Sequence, residues 1–160
     1  MQNNRYKKNV MHGFSLIEVL IASSLIIIIT LVTVSAFLSF RRTADLNSVI
    51  DGALGTLRDA ERQTIESKNA DQWSVHVESG RIVLFKGATF SEGASENIVF
   101  SLPPGISITN ISLTGGGSDI IFNRIVGDTV TGGSFVVQRN DTPGNNKTIS
   151  VSSTGLIQAQ

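Results

Sequence analysis

The chain has 160 residues, with 13 basic against 13 acidic side chains, 41% apolar residues and no cysteine. That length accommodates one folded domain, or one domain with an anchor. The balanced charge argues against a dedicated nucleic-acid binder, the missing cysteines exclude disulfide scaffolds, thiolate metal sites and cysteine nucleophiles, and the apolar fraction excludes a disordered chain.

Residues 1–13 (MQNNRYKKNVMHG) form a short polar leader whose Arg5, Lys7 and Lys8 place it on the cytoplasmic side of a membrane by the positive-inside rule. Val19 to Phe40 follow as a run of 22 residues without charge, Gly or Pro. As a helix this run extends about 33 Å, the hydrocarbon thickness of a bilayer. Ile26 to Ile29 and their neighbours make it apolar on every face, unlike the one-sided helix of a small soluble domain. Arg41 and Arg42 on the far side offset part of the orientation signal. A secretory signal ending at Val34-Ser35-Ala36 is the competing pattern, but the run exceeds the roughly 7–15 residues of a usual signal core. Glu18, a lone carboxylate at the edge of the run, has no use in a disposable signal. A carboxylate within a bilayer costs about 3 kcal/mol or more and calls for a partner, unless it rests among headgroups.

Gly13-Phe14-Ser15-Leu16-Ile17-Glu18, between a basic leader and a long apolar run, resembles the processing motif of type IV pilins and type II secretion pseudopilins. The resemblance implies cleavage between Gly13 and Phe14 by a membrane prepilin peptidase, N-methylation of Phe14, and an assembly role for Glu18, paired with the terminal amine of a neighbouring subunit in an apolar filament core.

Beyond the run, Leu46, Val49, Ile50, Ala53, Leu54, Leu57 and Ala60, with Ile65 further on, recur at spacings of three and four, while Arg58, Asp59, Glu61 and Arg62 fall mostly elsewhere. This predicts an amphipathic continuation, hence one helix from about Phe14 to Lys68, with Gly52 and Gly55 marking either a weak point or close packing. From Gln72 the period changes to two. Trp73, Val75 and Val77 alternate with Ser74, His76 and Glu78, and Ser79-Gly80 turns into a second strand over Arg81–Lys86. Further strands are expected at Ile98–Leu102, Ile106–Leu113, Asp119–Ile125, Ser134–Arg139, Thr148–Ser152 and Leu156–Gln158. The fold class is α+β: a long helix packed on an antiparallel sandwich or Greek-key sheet. Its segments are a leader (1–13), a transmembrane or filament-core helix (14–40), an amphipathic continuation (41–71) and a β-rich domain (72–160).

The intervening loops Gly87–Glu96, Thr114–Ser118, Gly127–Gly133 and Asn140–Asn146 are polar or Gly-rich and carry no assignable site. Ile121-Phe122-Asn123, Gly127, Gly132-Gly133-Ser134-Phe135-Val136-Val137, Ile149-Ser150-Val151-Ser152 and Gly155 together resemble the β-domain of H-type minor pseudopilins and T-type minor pilins. Some relatives of that kind bind DNA through arginines after the final Gly, whereas here Leu156 to Gln160 carry no positive charge. Loss of the leader leaves 10 basic against 13 acidic residues, so direct nucleic-acid binding is not expected.

Catalytic groups are scarce. His12 falls in the leader and His76 reads as an exposed strand histidine; no G-x-S-x-G elbow, P-loop or G-x-G-x-x-G occurs. Asp119, Asp128 and Asp141 lack EF-hand spacing. The expectation is a non-catalytic minor pilin or pseudopilin without cofactor or metal. It would be a single-pass protein of the bacterial inner membrane with its C-terminal domain outside the cytoplasm. Its partners would be prepilin peptidase, an inner-membrane assembly platform and other pilin or pseudopilin subunits. A secreted or singly anchored β-domain that binds a ligand without polymerising is the alternative.

Overall fold

In the computed structural model, residues 13–66, 71–142 and 144–160 are described. Residues 1–12, with Arg5, Lys7, Lys8 and His12, lie outside the described residues, as does the expected helix end at Lys68. Helix α1 spans Leu16–Ile65. Ser15 sets its start: the Ser15 carbonyl accepts the amides of Glu18 (3.1 Å) and Val19 (3.2 Å), and its hydroxyl accepts the Glu18 amide at 3.3 Å. This is N-cap geometry, in a Ser-x-x-Glu spacing that places an acid in the first turn of the helix.

The chain divides into two units, Met1–Arg41 and Arg42–Gln160. In the first, every described residue is exposed, including Phe14 and all the aliphatic side chains from Leu16 to Phe40. Its hydroxyls are satisfied within the helix: Ser24 donates to the Ile21 carbonyl (2.8 Å), Thr30 to Ile26 (2.7 Å) and Ser35 to Leu31 (2.9 Å). Such back-bonding leaves little polarity for a surrounding medium to solvate.

In the second unit the helical stripe is buried as expected, from Leu46 through Ala60. At the next turn the buried position is Thr64; Ile65, expected to extend the stripe, is exposed. Four residues after Ala60 is the in-phase position, and Thr64 is usable there because its hydroxyl both accepts the Trp73 amide (2.8 Å) and donates to the Trp73 carbonyl (2.9 Å). The helix end is thereby stitched to the first strand.

Among the described residues eight strands follow: β1 Trp73–Val77, β2 Arg81–Lys86, β3 Ile98–Ser101, β4 Ile106–Leu113, β5 Asp119–Ile121, β6 Gly133–Arg139, β7 Asn146–Val151 and β8 Ile157–Ala159. They form two antiparallel four-stranded sheets, ordered β3-β2-β1-β5 and β4-β6-β7-β8. One apolar cluster joins both sheets to the helix, with Val75, Val77, Ile82, Leu84 and Ile120 from the first sheet and Ile108, Phe135, Val137, Ile149 and Val151 from the second. The α+β class is as expected.

The strand anticipated at Asp119–Ile125 stops at Ile121; Phe122 makes a single bridge to Thr129, after which the Gly127 amide closes on the Asn123 carbonyl at 2.9 Å. That tight closure is incompatible with extended chain. The loop Gly87–Glu96 is mostly exposed, as expected of a surface loop, but its Phe90 lies on the outer face of the first sheet and meets Phe85 edge-on at 5.5 Å; Ile82 and Leu84 are buried in the shared core, and Val83 and Phe85 are buried on the opposite face. Within α1, Gly52 marks close packing, since a Cβ there would come within 2.3 Å of the Phe100 ring, whereas nothing lies within 4 Å of one at Gly55.

Candidate functional site

Gly13 and Phe14, the two residues of the expected cleavage bond, precede the helix outside regular secondary structure, and both are exposed. One turn into the helix, Glu18 is exposed. Phe14, Glu18, Ala22 and Ile26 succeed one another at i, i+4 spacing, and with Val19 and Ser23 they line a shallow groove of about 400 Å³. Its surface is almost wholly aliphatic and aromatic, with a single carboxylate at one end and small residues in the middle.

Sequence reasoning singled out Gly13, Phe14 and Glu18 and did not draw on the capping role of Ser15. The signal was present: Ser15-x-x-Glu18 is the spacing of a capping box. Glu18 thus has a reason to stand in the first turn, where the helix dipole favours an acid.

A second polar cluster lies on the β-sheets. His76, expected to be an exposed strand histidine, is largely covered, with 17% of its side chain accessible. Its Nδ1 lies 2.5 Å from Asp119 Oδ1 and its Nε2 lies 3.2 Å from Glu78 Oε1, while its ring stacks on Phe90 at 4.0 Å. Both ring nitrogens are engaged, and the cover comes from the 87–97 segment. Arg81 extends the network, bridging Glu78 (2.6 Å) and Glu92 (2.8 Å). Its guanidinium holds the Glu78 carboxyl below the usual carboxylate range. This is an ion-paired buckle that fastens the segment to β1 and β2.

Asp119 is thus committed to His76, and Asp141 to Arg139 at 2.9 Å. Among the described residues no group of three His, Asp or Glu side chains is placed to hold a metal ion. Among the described residues, α1 is the one helix long and apolar enough to cross a membrane, by its length and composition. No protein-family model, no curated protein and no solved structure matches the chain.

Proposed function

We propose that this protein is a minor pilin or pseudopilin, a non-catalytic structural subunit of a type IV pilus or a type II secretion pseudopilus. The observation that carries the reading is an exposed Gly13-Phe14 pair directly ahead of a capped helix whose 22-residue uncharged run is exposed on every side. An apolar surface of that extent requires a cover, and in its own unit the described residues supply none. A bilayer provides one before assembly and a bundle of like helices provides one after it. In this account a prepilin peptidase cuts between Gly13 and Phe14 and methylates the new Phe14 amine. The subunit waits in the bacterial inner membrane as a single-pass protein with residues 72–160 outside the cytoplasm. An assembly platform then draws the helix into the filament.

Glu18 supplies register in this mechanism. An unpaired carboxylate in an apolar filament core is strongly disfavoured, and so is the bare amine of a processed Phe14, so a neighbour that brings the two together neutralises both. The groove beside Glu18 has the apolar walls and single acid that this docking needs.

The cap at Ser15 supports a second reading, in which Glu18 only completes the helix start and the chain is a singly anchored β-domain that does not polymerise. Glu18→Gln separates the two, because glutamine also serves at the third position of a capping box but carries no charge. Charge pairing predicts normal membrane insertion with filament recovery reduced roughly tenfold or more. Wild-type recovery of filaments by Glu18→Gln would leave Glu18 as a cap alone.

A further inference from the structure

The two sheets differ in what stands on their outer faces. That of the first is occupied by Phe90 and the ion-paired network of Glu78, Arg81 and Glu92. That of the second, built by β4, β6, β7 and β8, is uncharged. Alternation sends Ile108, Phe135, Val137, Ile149 and Val151 into the core, so the residues between them point outward. The register sets these in rows across the strands: Thr109, Val136 and Thr148 in one, Ser134, Ser150 and Gln158 in the next. The remaining outward positions on these strands are Ser, Asn or Gln. Arg139 and Lys147 belong to the inward set, opposite Ile106 and Val137.

A solvent-facing sheet ordinarily carries Lys, Glu or Arg, which keep it soluble and blunt its edges. Here hydroxyls and amides stand in their place. Among the described residues the hydroxyls of Ser134, Thr148 and Ser150 and the amide of Gln158 have no hydrogen-bond partner. They form an array of donors and acceptors spaced about 4.8 Å across the strands and about 6.8 Å along them. The composition of the face decides what it can hold. Without a cation it has no grip on nucleic acid or another polyanion. Without a carboxylate it has none on a polycation. Val136 is its one apolar side chain, and it has no aromatic, which is too little for a lipid surface or for the anchors of a protein interface. A ligand of repeated neutral hydroxyls is what it matches.

We infer that this face binds a neutral, extended polysaccharide laid across the strands of the second sheet. Each Ser or Thr hydroxyl donates to one sugar hydroxyl and accepts from another, the Gln158 amide does both at once, and Val136 meets the C–H face of a ring. A neutral hydrogen bond gains little over the water it replaces, so a single sugar binds poorly and a polymer that engages several rows together binds usefully. The rows run over three strand spacings, about 14 Å, which a chain of linked rings spans and one ring does not. The face lies wholly within residues 106–159, so the inference goes beyond the filament reading and stands apart from it.

Cellulose is the probe, a neutral β-linked polymer, with carboxymethyl cellulose as its charged counterpart. The full chain in detergent micelles, which cover α1, should be retained on cellulose at low and high salt alike, because no ion pair is involved. Retention on carboxymethyl cellulose should be several-fold weaker. Thr148→Val with Ser150→Ala removes two hydroxyls while keeping strand-compatible side chains, and should weaken binding to cellulose about tenfold with the urea midpoint unmoved. Thr148→Ser, which keeps the hydroxyl, should bind as the wild type does. Gln158→Ala, at an exposed edge position, should weaken binding about threefold and serves if the double variant does not fold. No retention of the wild type, equal retention on carboxymethyl cellulose, or binding that is unchanged or strengthened in the hydroxyl-free variants would overturn the inference. Chains cut and uncut after Gly13 should bind alike, so neither result depends on processing.

Discussion

Two glycines three positions apart on α1 differ in what surrounds them, and the difference predicts opposite outcomes. Ala at Gly55 enters open space and gains helix propensity, so Gly55→Ala should stabilise by about 1 kcal/mol. Gly52→Ala gains the same propensity but drives its methyl into the Phe100 ring, and should destabilise by about 1–2 kcal/mol net. Urea unfolding followed by Trp73, the single tryptophan, measures both; equal signs would contradict the packing described at Gly52. The stripe from Leu46 to Ala60 was legible in the sequence because helical periodicity reports directly which side is buried. His76 was not. Alternation correctly set it off the face of Val75 and Val77, but period says nothing about what covers the other face, and Phe90 covers it from fourteen residues away. Gly13, Phe14 and Glu18 were singled out as a motif, and among the described residues no ion pair to the Glu18 carboxylate is formed.

At the level of elements, the strands with regular alternation fell where composition placed them, and the errors lie where side chains rather than backbone ladders hold the chain. The 87–97 segment has one aromatic among polar residues, so it reads as solvent-facing; its attachment is the Phe90 ring and the Arg81 bridge between Glu78 and Glu92. Phe90→Ala should therefore destabilise by about 1–2 kcal/mol and raise amide exchange across 87–97 while leaving β6 and β7 protected. Unchanged exchange would mean that the ion pairs alone hold the segment. After β6 the chain is tied by Arg139 and Asp141, whose guanidinium holds the Asp141 carboxyl down at about 2. A carboxyl lowered on folding contributes stability that is complete above its ordinary value near 3.8 and is lost as pH falls through about 2. The urea midpoint should thus decline between pH 4 and pH 2, and Asp141→Asn should flatten that decline. The effect is small because the pair is partly exposed. An unchanged slope would show that other carboxylates govern the acid response.

For the whole molecule, the α+β class and the division into an apolar helix and a β-rich unit followed from two changes of period along the chain, from uniformly apolar to 3.6 and then to 2. The two-sheet order did not, because the placement of β5 beside β1 joins residues some forty-five apart that no local pattern links. The loop closed by Asn123, Gly127 and Asp128 was hidden for the same reason: Ile125 and Val126 extend a β-like run, and only tertiary hydrogen bonds bend it. The molecule's largest unexplained surface is the helix from Phe14 to Phe40, and processing at its head is the claim on which its function turns. Intact mass and N-terminal sequencing of the membrane-expressed chain, with and without a prepilin peptidase, test it most directly. The account predicts a mature start at N-methylated Phe14 that depends on the enzyme. A start after Ala36, or a chain left uncut in the presence of active peptidase, would contradict it.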